Sequence, residues 1–355
     1  MVLFGGESAE HDVSCTTAAH VLRAADPARY RITPVGIARD GQWAVAAEAA
    51  ALLERGAEHL PGRLDPAGQP ISPTPMLERV AGETDASRTV VLPLLHGPMG
   101  EDGTVQGLLE LAGVAYVGSG VLGSAVAMDK AMAKQVLLSA GIPQARHHAL
   151  AEHEVHDLSL QRVLDEIGLP VFVKPANMGS SVGVSKASSV EELRDAASVA
   201  LAYDQMILVE EAVDGREIEV AVLGNEQPEA SLAGEIVPGE EFYSYEDKYV
   251  TDGAQLLVPA PLHEDEMLEV RELAIRAFGA LRCEGLARVD FFYEEPEFGG
   301  RGFLCNEVNT MPGFTPISMY PKLWLESGMT YTALIDRLVD LAIERQGRRR
   351  RNTKR

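Results

Sequence analysis

A chain of 355 residues, 46% of them hydrophobic, has the length of two or three domains and can bury a substantial core. Its formal net charge of -22 at pH 7 argues against an electrostatic grip on nucleic acid; the exception is the basic run Arg348 to Arg355, which reads as a solvated, disordered tail. The 3 cysteines (Cys15, Cys283, Cys305) are widely spaced and form no CxxC pair, the start shows no signal-peptide pattern, and no apolar run of about 18 residues occurs, so a reduced, cytoplasmic protein without zinc site or membrane span is expected.

Val2-Leu3-Phe4 reads as a short buried strand, followed by the turn Gly5-Gly6-Glu7-Ser8-Ala9-Glu10-His11-Asp12 and a helix over 13–24. Strand, glycine turn and helix in that order begin a parallel α/β unit, whose ligands bind beyond the strand ends. Glu10 lies at the helix start, where an anion is favoured, and reads equally as a ligand group or a capping acid. Further strands are expected over 30–37 and 90–95, the latter ending at His96. That is a usual ligand position, although a satisfied structural histidine fits there as well. A loop, Met99 to Gly103, and a helix over 104–112 follow.

Residues 116–123 match the dinucleotide pattern GxGxxG. The match falls a third of the way along the chain rather than in the first βα turn, and no strand ending in an acid follows at the required distance. Hydride-transfer chemistry is therefore set aside. A helix is expected from Ala127 to Ser139, ended by Gly141-Ile142-Pro143. Lys130 sits near its start, unfavourable for a cation unless an anion is close.

A helix over 158–167 leads to the buried strand 170–175, in which Lys174 stands among apolar residues and needs a partner. The loop from Asn177 to Val184, with Gly179, Ser180, Ser181 and Gly183, offers hydroxyls and backbone N–H groups that can wrap phosphates. It lacks the GKS or GKT of a Walker loop, and an ordinary turn explains its glycines but not Lys174. A helix over 191–201, a strand over 205–211 ending in Glu210 and Glu211, and a strand over 218–223 come next. Residues 238–261 lack a clean period; their aromatics and Lys248 suit a lid over a charged ligand.

An amphipathic helix over 264–281 precedes two strand-like segments, 286–292 and 303–309. Side chains at i and i+2 share a face of a strand. Arg288 therefore pairs with Asp290, and Glu307 with Asn309, and Gly299-Gly300 would fold one segment back on the other as a hairpin. Hard oxygen ligands of this kind suit Mg²⁺, although an acidic solvent face would carry the same residues. Ser318-Met319 starts a helix, and a last helix runs over 331–343. With no GxSxG or other obvious nucleophile, chemistry through metal and phosphate is the better reading.

Several segments, in order, carry a resemblance over nearly the whole chain: GGESAEHDVS, LHGPMGEDG, YVGSGVLGSAVAMDK, VKPANMGSSVGVSK, YSYEDKY, ARVDFF and NEVNTMPGFTPIS. Together they resemble the D-alanine–D-alanine ligase family of the ATP-grasp superfamily. The resemblance implies an α/β, three-domain ATP-grasp ligase. Its N-terminal parallel α/β domain would span 1–118, its central domain 119–209 and its C-terminal domain 210–345, with 346–355 as the tail. ATP would lie between the central and C-terminal α+β domains. The implied reaction joins two D-alanines for peptidoglycan through an acyl phosphate, releasing ADP and phosphate.

By matched position, the resemblance puts Lys130 and Lys174 on the ATP phosphates beside Ser180 and Ser181. It puts Glu210 on the adenine amino group with Glu211 and Val213 at the adenine edge, Glu217 on the ribose, and Lys248 near the phosphates on closure. Asp290, Glu307 and Asn309 would hold two Mg²⁺ (or Mn²⁺), and Arg288 would stabilise the developing oxyanion. Glu10 would bind the first ammonium and, through Ser180 and Tyr249, tie the lid shut, with His96 nearby. Gly313, Ser318 and the Met319 backbone would hold the second carboxylate. Tyr249 stands where depsipeptide-forming relatives carry histidine, which favours an amine as second substrate. Glu211 and Ala212 depart from the family's frequent lysine and aromatic. A homodimer with no nucleic-acid or membrane partner is expected. Alternatives are a D-alanine–D-lactate or D-serine ligase, and a non-catalytic nucleotide-binding protein on the same shell.

Overall fold

The computed structural model describes residues 1–81, 88–239 and 255–349. Most of the expected lid, including Lys248 and Tyr249, lies outside the described residues. The strands form three sheets. The first contains β1 (Val2–Gly5), β2 (Pro34–Ile37), β3 (Trp43–Val45), β4 (Gln69–Pro70), β5 (Val90–Pro93) and β6 (Ala115–Tyr116), in the order β4-β3-β2-β1-β5-β6. β1, β2, β5 and β6 run parallel, and β3 and β4 are antiparallel additions. Leu3 and Phe4 are fully buried, the pattern of a parallel strand covered on both faces. The helix His11–Ala24 follows β1, and Ser14 anchors it. Its Oγ accepts from Gly5 N at 2.8 Å and donates to Leu94 O, tying the ends of β1 and β5 together beneath the Glu10 loop.

The second sheet is antiparallel: β7 (His147–Ala151), β8 (Val171–Pro175), β9 (Ser185–Ala187) and β10 (Met206–Glu211), in the order β7-β10-β8-β9. The helices Asp157–Ile167 and Val190–Leu201 supply its apolar partners, and Leu160, Val163, Val171, Val173, Leu193, Ile207 and Val209 form a core cluster of this unit's own. The third sheet, also antiparallel, contains β11 (Arg216–Gly224), β12 (Glu229–Val237), β13 (Gln255–Leu257), β14 (Gly285–Glu294) and β15 (Gly302–Asn309), in the order β13-β12-β11-β14-β15. The helix Glu264–Ala280 packs Val270, Ala274, Ala277 and Phe278 against it. No helix among the described residues is long and apolar enough to cross a membrane.

The ends of the chain share one core. Val2, Phe4, Leu22 and Leu94 cluster with Leu323, Leu334, Leu338 and Leu341, the last three on the helix Tyr331–Arg349. Polar contacts lock this seam. Tyr30 Oη donates to Asp336 at 2.7 Å, Thr332 Oγ1 to Ala24 O at 3.0 Å and Arg345 Nη2 to Tyr116 O at 3.0 Å, with the Arg345 guanidinium 3.8 Å from the Tyr116 ring centre.

Several elements differ from the sequence reading. The helix expected from Ala127 is two helices, Val121–Met128 and Lys130–Ser139, because Asp129 turns extended and accepts from Met132 N at 2.9 Å as an N-cap. The last glycine of the GxGxxG match serves close packing: a Cβ on Gly123 would meet Arg282 O at 2.6 Å. The last helix runs to Arg349, beyond the expected end. Gln346 donates to Gly113 O at 2.8 Å, and Arg348 pairs with Glu226 and Glu284 at 2.9 and 2.7 Å, so the start of the expected tail is ordered by acids elsewhere in the fold. The β14–β15 connection contains a helical turn, Pro296–Phe298, with Gly299 (φ 86°) closing it, rather than a tight Gly-Gly turn.

Candidate active site

The hairpin of β14 and β15 places its polar side chains as period two requires. Asp290 lies opposite Glu307 and Arg288 opposite Asn309, with a register shift between Asp290 and Phe291. On the other side Glu219 of β11 lies opposite Asp290. Three carboxylates therefore stand in a row across adjacent strands, an arrangement that costs stability unless a cation joins it. Arg288 is that cation. Its Nε and Nη2 donate to Asp290 at 2.7 and 2.6 Å, and its Nε lies 3.0 Å from Glu219. Burial alone would lower the guanidinium's pKa, but Asp290 and Glu219 raise it well above the usual value.

This face lines one side of a cleft of about 460 Å³. The cleft brings together Lys130, Lys174, Ser180, Ser181, Glu210, Glu211, Val213, Glu217, Arg288, Asp290 and Glu307. Lys130 donates to Met178 O at 2.6 Å and stands 3.9 Å from Glu307; burial pushes its pKa down and Glu307 opposes this. Lys174, one residue of a β8 face that alternates with the apolar core, finds the partner its burial demands in Glu210. Glu210, expected at an adenine amino group, pairs one of its oxygens with Lys174 and the other with Lys134. Burial would raise this carboxyl, yet the two lysines hold it at about 2. Glu211, whose oxygens accept from Arg146 Nε at 2.7 Å and Arg301 Nη1 at 2.5 Å, bridges β10 to the β14–β15 hairpin.

A second group lies outside that cleft. Glu10 is buried, and a Cβ built on Gly179 would stand 3.4 Å from its Oε2, so the Gly-Ser loop comes down over it. In that loop Ser180 and Ser181 adopt φ of 50° and 59°, a left-handed pair that side chains resist and that marks stored strain. His96 Nδ1 lies 3.0 Å from Met311 O and donates to it, leaving a buried Nε2 as acceptor with no hydrogen-bond partner among the described residues. Asn309 Oδ1 accepts from Met311 N at 3.0 Å, so the same turn is held from the hairpin and from the His96 loop. Beyond it, Ser318 Oγ lies 3.2 Å from Thr315 N, and a Cβ on Gly313 would approach it to 3.2 Å. Ser318 precedes the helix Met319–Glu326; the Met319 side chain is buried, while its backbone N–H belongs to the first turn, where donors lack intrahelical acceptors.

Three further residues around the site escaped the sequence reading. Lys134 shares a helix face with Lys130, four residues earlier, a signal available in the spacing. Glu219 follows Glu217 at i+2 on one strand face. Glu101, in the loop after His96, is buried and accepts from Gly97 N at 2.5 Å. Burial, with Glu10 beside it, pushes its carboxyl up to about 8. A carboxyl raised in the fold keeps its proton there longer than in the unfolded chain, so its ionisation erodes stability as pH rises from about 4.5 to about 8. Glu101→Gln is therefore expected to gain stability relative to wild type across that window. Guanidinium unfolding at pH 5 and pH 8.5 measures this; a constant difference contradicts it.

Among the described residues no group of three or more His, Cys, Asp or Glu side chains stands ready to hold a metal. The donors of the hairpin nevertheless fit a hard divalent cation: two facing carboxylates and an amide oxygen, with room in the cleft for phosphates to complete the shell.

Two family models match this chain: "D-ala D-ala ligase N-terminus" over residues 1–119 and "D-ala D-ala ligase C-terminus" over residues 136–340. The chain belongs to the D-alanine–D-alanine ligase family. It is 45% identical over 354 residues to the D-alanine–D-alanine ligase of Shouchella clausii, an alignment covering 98% of this chain and 95% of that one. Among solved structures, the D-alanine–D-alanine ligase from Coxiella burnetii aligns with a TM-score of 0.81 at 36% identity, over 98% of this chain and 94% of the other. The VanG D-Ala:D-Ser ligase from Enterococcus faecalis aligns with a TM-score of 0.80 at 32% identity, over 96% and 98%. The expected three-domain α/β ligase fold is thereby borne out.

Proposed function

We propose that this ligase joins two molecules of D-alanine, with ATP going to ADP and phosphate, to supply the dipeptide for peptidoglycan. The observation that carries the reading is the cleft, in which Arg288, Asp290 and Glu307 on one sheet meet Lys130 and, from β8 of the second sheet, Lys174. Among the described residues no side chain there is placed as a covalent nucleophile, and the reaction does not need one. It needs alignment and charge neutralisation.

Lys130 and Lys174 neutralise the nucleotide phosphates, and the Ser180–Ser181 turn offers backbone donors to them. Glu217 takes the ribose, and the backbone of Glu211 and Val213 borders the adenine. Asp290, Glu307 and Asn309 would hold Mg²⁺ or Mn²⁺, two ions in the full reading, which draws charge from the transferring phosphoryl group. The first D-alanine sits with its ammonium on Glu10 and its carboxylate toward the phosphates, beside His96. Its carboxylate oxygen attacks the γ-phosphorus, giving an acyl phosphate and ADP. The second D-alanine, its carboxylate held by Ser318, Gly313 and the Met319 N–H, attacks the acyl carbon with its amine. Arg288 stabilises the oxyanion until phosphate leaves. Lys248 and Tyr249 complete the closed site in this reading. A cytoplasmic homodimer without nucleic-acid or membrane partners completes it; buried, unpaired Cys15, Cys283 and Cys305 are in keeping with a reducing compartment.

The likeness to the VanG ligase supports a second reading, in which D-serine is the second substrate. Mg²⁺-dependent ADP release is measured with D-alanine, L-alanine, and D-alanine plus D-serine or D-lactate, with product masses determined. ADP release with D-alanine alone and the mass of its dipeptide are expected. Preferential mixed products overturn the substrate assignment, and nucleotide binding without ADP under any condition returns the non-catalytic alternative.

A further inference from the structure

Lys134 is a buried lysine that the reaction just described does not use. Its side chain is 2% exposed, and it does not line the cleft, whereas its partner Glu210 does. It stands one helical turn beyond Lys130, and its ammonium meets one oxygen of Glu210 while Lys174 meets the other. The two lysines are not equivalent. Lys174 lines the cleft, reaches Asn306 Oδ1 at 3.4 Å and retains 12% exposure. Lys134 has only the protein interior around it.

One buried carboxylate with two ammonium partners can release one and remain paired. With a single partner it cannot, because removing that partner strands a buried charge, a change that typically costs several kcal/mol. A triphosphate entering the cleft draws on Lys174, the partner that faces it. We propose that Lys134 is a positioning residue that holds Glu210 in place and charged, so that Lys174 can leave that carboxylate for the phosphates of the nucleotide. The inference rests on the nucleotide reading above and assigns a role to a residue that touches neither substrate nor metal.

The test compares wild type, Lys134→Met and the double variant Lys134→Met/Glu210→Gln. Binding of a non-hydrolysable ATP analogue with Mg²⁺ and of adenosine is measured by calorimetry well below the melting temperature of each. Lys134→Met should weaken the analogue about tenfold or more, since Lys174 is then retained by Glu210, and should leave adenosine within about twofold. The double variant, in which no carboxylate holds Lys174, should recover most of the analogue affinity. Equal losses for adenosine and the analogue, an unchanged single variant, or a double variant as weak as the single each overturn the inference. A wild type that binds neither probe overturns the nucleotide reading, and the inference with it.

Discussion

Arg288→Ala is expected to lower turnover by about two orders of magnitude or more while nucleotide affinity changes little. The expectation follows from where the guanidinium stands. It is bidentate on Asp290, in contact with Glu219, and half-buried on the cleft face opposite Asn309. A donor fixed in advance on two carboxylates needs little reorganisation when negative charge develops on the tetrahedral intermediate. In the proposed reading nucleotide binding depends instead on Lys130 and Lys174, which also line the cleft and which the substitution leaves in place. Arg288→Lys keeps the charge but not the fork, and should fall between wild type and alanine. Single-turnover rates at saturating ATP, beside calorimetric ATP affinity, decide the matter. Near-normal turnover in Arg288→Ala removes the oxyanion role, and a parallel collapse of ATP affinity makes Arg288 a binding residue.

Leu338→Ala should destabilise the folded protein by about 2–5 kcal/mol. Leu338 is 1% exposed on the last helix, yet its cluster contains Val2, Phe4 and Leu22 from the beginning of the chain. Truncating it opens a cavity in the seam between the chain's ends. The loss should appear as a lower guanidinium midpoint. A change below about 1 kcal/mol would mean that the seam collapses around the deletion or that the helix contributes little to the shared core.

The parts of the site that rest on strand periodicity were legible in the sequence. Arg288, Asp290, Glu307 and Asn309 alternate with apolar residues, and alternation alone places them on one face. Lys174 was legible as a buried cation in want of a partner. What escaped depended on residues far away in the chain. That Lys134 turns inward, and that Glu210 answers both it and Lys174, is decided by how the helix Lys130–Ser139 packs near β10. Nothing local sets Glu219 apart; only the pairing of β11 with β14 brings Asp290 beside it. The stretch 44–75 is rich in alanine, glycine and proline, small residues that give little periodic contrast, and so β3, β4, the helices Ala47–Arg55 and Pro73–Ala81 and the helical turn Ala57–His59 carry no clear pattern. The last helix outran its expected end because Glu226 and Glu284 receive Arg348, a contact no local pattern announces.

The seam between the chain's ends also bears on how the protein comes into being during synthesis. The middle unit, β7 to β10 with its two helices, owns a complete core and can close as soon as it leaves the ribosome. The parallel sheet made before it builds a core of its own on one side, around Leu3, Val35, Val91 and Leu109, but not on the other. Its flank at Phe4, Leu22 and Leu94 is covered by Leu334, Leu338 and Leu341, which emerge after all three sheets. Nascent chains therefore carry an uncovered apolar face through most of their elongation. That interval, rather than the finished enzyme, is where binding by a chaperone has the most surface to protect.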